Sequence, residues 1–109
     1  MLERQFGKII AVTSAARGAQ NGFIKAVGLE LARNNIQVNA IAQNHIVNNT
    51  YYPDDILDNT KFLDHVKRNV PTNKAGSAEE TAELAAYLAS ETCNHMVGQI
   101  IPLAGGWAT

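Results

Sequence analysis

The sequence contains a single cysteine, Cys93, among 109 residues, so no internal disulfide can staple it and a reducing compartment is expected. Neither sign of charge is in excess: nine Lys and Arg stand against ten Asp and Glu, for a formal net charge of -1. The electrostatic footprint of a nucleic-acid binder is therefore missing. So is any run of like charges that would mark an interaction tail or a membrane patch. Long apolar runs are missing too. The longest uncharged stretch, 92–109, is interrupted by Asn94, His95, Gly98, Gln99 and Pro102 and is too polar to cross a bilayer. The opening Met1-Leu2-Glu3-Arg4-Gln5 lacks the apolar core of a signal peptide. One cytoplasmic domain over residues 1–109 is the expectation, with no nucleic-acid and no membrane partner.

Against these absences stands a clear alternation of patterns. Ile9-Ile10-Ala11-Val12-Thr13 is a short β-branched run, apolar on both faces, as suits a strand buried from both sides in a parallel sheet. Over 17–34 the spacing turns helical, with Phe23, Val27 and Leu31 on one stripe that Ile24 widens. Gly18, Gly22 and Ala26 make a second stripe of small residues. Glycine costs about 1 kcal/mol inside a helix, so these positions predict close approach to another backbone. Asn34-Asn35 ends the helix, and 36–42 reads as a second strand.

The polar segment 43–74 is harder to assign. Pro53-Asp54-Asp55 reads as a turn, with short helical pieces at 56–57 and 61–69. Pro71 stops the second piece, because the residue before a proline is pushed out of the helical region. Ser77-Ala78-Glu79-Glu80 is a capping box opening a helix with Leu84, Ala85, Leu88 and Ala89 on one face. After Gly98, a third strand over 99–103 carries Pro102, which lacks a donor and favours a sheet edge. The order strand, helix, strand, excursion, helix, strand predicts an α/β fold: a three-stranded parallel sheet with flanking helices.

Four segments together resemble the short-chain dehydrogenase/reductase family: GKIIAVTS (Gly7–Ser14), GFIKAVGLEL (22–31), IQVNAIA (36–42) and GQIIPLAGG (98–106). The resemblance implies that the chain is the C-terminal half of a Rossmann-like fold of roughly twice this length. It further implies that Ser14 is the catalytic serine and that Arg17 takes the place of the catalytic lysine. Within the family the details are similar to halohydrin dehalogenases, which use no nicotinamide cofactor and interconvert vicinal haloalcohols and epoxides. Gln43-Asn44 stands where dehydrogenases commonly have Pro-Gly, and Ala104-Gly105-Gly106-Trp107 where they have Asp-Gly-Gly. The segment AQNHIVNNTYYP (42–53) resembles a dehalogenase halide loop. By that resemblance Asn44, His45 and Trp107 are the halide- and substrate-binding candidates. No metal is expected, since His45, His65, His95 and Cys93 share no ligand spacing.

One element of the family pattern is absent. The catalytic tyrosine belongs four residues before the lysine or arginine, and Thr13 stands there; Tyr51, Tyr52 and Tyr87 lie in other segments. Ser14 and Arg17 are only three apart, as if the segment between them were deleted. Epoxide formation needs a base for the substrate hydroxyl, and a threonine is a far poorer base than a tyrosinate beside a cation. The expectation is a chain without turnover of its own. An NAD(P)-dependent oxidoreductase and a catalytically dead assembly module are the alternatives. For the former, 12–18 also resembles a cofactor turn, T-G-x-x-x-G-x-G, of whose glycines only Gly18 is present. Ordinary readings remain beside these. Ser14 is equally suited to cap a helix, Arg17 to sit in solvent, Asn44 and His45 to make a turn, and Trp107 to anchor a subunit contact. A homo-oligomer is expected, because the first strand offers an unpaired edge.

Overall fold

The computed structural model describes residues 1–14, 18–46 and 59–107. Its elements run β1 (Gly7–Ser14), α1 (Gly18–Ala32), β2 (Ile36–Gln43), α2 (Thr60–Asn69), α3 (Ala78–Ala89) and β3 (Ile100–Leu103). The three strands form one parallel sheet in the order β1-β2-β3. The α/β class and three-stranded parallel sheet expected from the sequence are therefore observed. The turn at Pro53-Asp54-Asp55 and the helical piece at 56–57 lie outside the described residues.

β2 is the axis of the fold. Its side chains are buried from Ile36 through Ala42, and they feed two cores on opposite faces. Ile36, Val38 and Ala40 pack with Ile24 of α1, backed by Val27 and Leu31. Ile41 packs on the other face with Leu88 of α3 and Cys93, backed by Leu84 and Ala85. Burying Gln37 and Asn39 in such a strand is costly unless their amides are bonded. Both donate to the Met96 carbonyl, at 3.1 and 3.0 Å, and Asn39 Oδ1 accepts from Gln99 N–H at 3.0 Å. The polar positions of β2 thus fix the segment that leads into β3.

Local chemistry sets the helix ends. Asn35, at φ 57°, turns the chain out of α1 in the left-handed conformation that asparagine tolerates. Asn59 Oδ1 caps α2 by accepting from Lys61 and Phe62 N–H. Val70, the residue before Pro71, is extended at the other end. The Ser77–Glu80 capping box is formed reciprocally at the start of α3.

Three expectations are corrected. β1 is not covered on both faces: Ile9 is 41% and Val12 52% exposed, because β1 is a sheet edge with an open flank. Phe23 is 64% exposed, so the buried stripe of α1 runs through Ile24, Val27, Gly28 and Leu31 instead. The close backbone approach exists but not at the predicted glycines. A Cβ at Gly18 or Gly22 would meet nothing within 4 Å, whereas one at Gly28 would lie 2.7 Å from the Gly98 Cα. Gly28 and Gly98 are where α1 crosses the entry to β3.

Candidate functional site

In a parallel α/β sheet the loops at the carboxyl ends of the strands gather the functional groups. Ser14 is in register with Gln43, and Gln43 with Leu103, so the three strands end at one level. Asn44 continues from β2 and its N–H donates to Leu103 O at 3.2 Å. Ser14 and Asn44 therefore stand at the same edge of the sheet. The Ser14 side chain and Arg17 lie outside the described residues.

Beyond Asn44 the backbone bends through His45, whose φ of 55° is unusual for a residue with a side chain. Two bonds hold the bend. Asn44 Oδ1 accepts from His45 N–H at 2.9 Å, and His45 O accepts from Gly76 N–H at 2.9 Å, next to the Ile46–Gly76 bridge. The Asn44 oxygen is thereby committed to its own turn, while its Nδ2 donors stay uncommitted in the wall of a cavity of about 200 Å³. His45, Lys74, Gly76, Glu80 and Gly105 also line that cavity. α3 is tied to the same edge by Thr81 Oγ1, which donates to Gln43 Oε1 at 2.9 Å.

The His45 ring is 3% exposed, with two aromatic neighbours. Trp107 meets it edge-on, ring centres 5.8 Å apart, and His65 of α2 brings its Nε2 to 3.3 Å from His45 Nε2. Burial, and secondly the neighbouring His65, lower the His45 pKa below the ordinary histidine value. The shift favours the neutral form of the ring. Of the sequence candidates, Asn44 and His45 reach the cavity directly, and Trp107 stands behind it against His45. His65 was not singled out from the sequence as a site residue. Twenty positions separate it from His45, and only the fold of α2 closes that gap. No group of three or more potential metal ligands occurs among the described residues.

Thr13 stands where the family pattern has its tyrosine. It is buried, and its hydroxyl donates to Asn21 Oδ1 of α1 at 2.9 Å. Its oxygen is a structural bridge from β1 to α1, with nothing to recommend it as a base.

A family model described as enoyl-(acyl carrier protein) reductase matches residues 2–108. The uncharacterized oxidoreductase YmfI of Bacillus subtilis (strain 168) is 29% identical over 98% of this chain and 48% of its own length. That match runs over 121 positions, more than this chain possesses, so the relative has residues with no counterpart here. The 3-oxoacyl-[acyl-carrier-protein] reductase FabG of Chlamydia trachomatis is 35% identical over 87% of this chain and 37% of its own. Among solved structures, halohydrin dehalogenase HheC bound to ethyl (2S)-oxiran-2-ylacetate superposes with a TM-score of 0.90 at 29% identity. It covers all of this chain with 51% of its own. The chain spans about half the length, or less, of the relatives it matches. No helix among the described residues is long and apolar enough to cross a membrane.

Proposed function

The chain belongs to the short-chain dehydrogenase/reductase family, and from that premise we propose that it carries the halide- and substrate-binding edge of a halohydrin dehalogenase-type site, without turnover of its own. The observation that carries this reading is the Asn44–His45 turn. It commits the amide oxygen of Asn44 and leaves N–H donors in a small cavity, the donor set that a leaving halide needs. The superposition on HheC, whose structure holds an epoxide, supports the same reading.

In such chemistry a base takes the substrate hydroxyl proton, the oxygen pair attacks the neighbouring carbon, and the carbon–halogen bond breaks. The halide leaves with the bonding pair. Ser14 would hold the substrate oxygen and Arg17 would lower the pKa of the base. Asn44 would receive the halide in the cavity it shares with His45, with Trp107 stiffening the far side of that ring. Among the described residues no side chain is placed to act as that base. The family places a tyrosine there, and Thr13 is already engaged with Asn21.

The second reading is an NAD(P)-dependent oxidoreductase, favoured by the names of the curated relatives. The cavity beside Asn44, at about 200 Å³, is below the 300–1,000 Å³ typical of ligand pockets, which favours a small occupant such as a halide at this edge. His45 and Trp107 also crowd the strand ends. Trp107 is the only tryptophan and lies beside His45, so its fluorescence reports on the site. Bromide should quench it along a saturating curve that Asn44→Ala flattens. Saturable binding of NADH with only linear, collisional bromide quenching would replace this reading with the second.

A further inference from the structure

We propose that Gln43 is a further substrate-binding residue of this edge, whose side-chain N–H groups hold the oxygen of the haloalcohol or epoxide. The inference rests on the dehalogenase-type reading above and adds to it the donors for the substrate oxygen.

Three amides on one face of β2 are used in different ways. Gln37, Asn39, Ile41 and Gln43 alternate onto that face, where Ile41 packs with Leu88 and Cys93. Gln37 and Asn39 are buried, and both donate their amide N–H to the Met96 carbonyl. An amide that serves structure alone is satisfied in this manner, with its donors matched inside the fold. Gln43 does the reverse. Its Oε1 accepts from Thr81 Oγ1 of α3 at 2.9 Å, and its Nε2 has no partner among the described residues. The bond to Thr81 holds the oxygen towards α3. It leaves the nitrogen end of a half-buried amide free at the end of the central strand.

The place of that amide matters. Ser14 is the register partner of Gln43 on β1, and Asn44 follows it with uncommitted donors in the cavity wall. Thr81, which holds Gln43, follows Glu80 of the same wall. Gln43 therefore stands between the residue to which the family resemblance gives the substrate oxygen and the cavity that would receive the halide. In a vicinal haloalcohol the oxygen and the halogen sit on adjacent carbons, so their donors must be neighbours.

The chemistry calls for a donor there. The oxygen that displaces the halide is first an alkoxide and then an epoxide oxygen. Both forms have lone pairs and no proton, so only donors can hold them. A serine hydroxyl gives one such bond, and the Gln43 amide adds to it without adding charge. The proline that dehydrogenases commonly have at this position offers no donor at all.

Titration with bromoethanol and, separately, with bromide tests this, each followed by Trp107 fluorescence. Bromoethanol carries both groups, whereas bromide is the halogen alone. Gln43→Leu should weaken bromoethanol binding about fivefold, the loss of one hydrogen bond, and leave bromide affinity within about twofold of the parent. Gln43→Glu keeps an oxygen for Thr81 but exchanges the donors for a second acceptor. It should lose bromoethanol at least as completely, with the fold intact by circular dichroism. Undiminished bromoethanol binding in either variant, or equal loss of both ligands in Gln43→Leu, would overturn the role of Gln43 while the parent's bromide binding still supports the site. A parent that binds neither ligand saturably would overturn the dehalogenase-type reading and this inference with it.

Discussion

At the amino end of the sheet, buried and half-buried polar side chains bond to the backbone. Lys8 Nζ donates to the Ser90 and Cys93 carbonyls, Gln37 and Asn39 to the Met96 carbonyl, and Gly28 lies directly on Gly98. At the carboxyl end, polar side chains face one another or a cavity: His45 meets His65 and Trp107, and Asn44 keeps free donors. The first arrangement has one good state and resists change. The second can exchange protons or take up a ligand without unmaking the sheet, which is why function is assigned to that end.

Substitutions at the amino end should cost the most stability. Gly28→Val should have the largest effect, because its Cβ would overlap Gly98 backbone that cannot rotate away. A loss of about 3 kcal/mol, or failure to fold, is expected in urea melts, the upper range for overpacking. Tolerance of valine there would show that the α1–β3 crossing is loose. Asn39→Ala should come next, at about 2 kcal/mol, since it removes a buried amide that accepts from Gln99 N–H and donates to the Met96 carbonyl. A melt within error of the parent would mean that water replaces the amide.

Smaller and opposite in kind is the pH response of the carboxyl end. The folded state holds His45 below its ordinary pKa, so on acidification the unfolded chain binds that proton first. Stability should be complete above the ordinary histidine value of about 6.5 and fall as the pH drops below it. Unfolding free energies measured across that range should decline towards acid. A stability that rose in acid would place an opposing partner beside His45.

The element order and strand direction were legible because hydrophobic periodicity and the capping box are local signals: the Ser77–Glu80 pair and Pro71 set ends that the structure reproduces. What covers an element is not local. Ile9 and Val12 read like the core of any parallel strand, and only the sheet order leaves them exposed. Likewise Gly28 differs from Gly22 in nothing but its distant partner, Gly98. At the site, Asn44 and His45 were found through their place after β2. The His45–His65 contact depends on how α2 folds back, which no spacing rule encodes.

The most direct test of a halide-receiving edge is anomalous scattering from crystals of the protein soaked in bromide. The account predicts a peak in the cavity within hydrogen-bond reach of Asn44 Nδ2, lost in Asn44→Ala. Peaks confined to the surface lysines and arginines, with the cavity vacant or taken up by a nicotinamide in crystals grown with NADH, would contradict it.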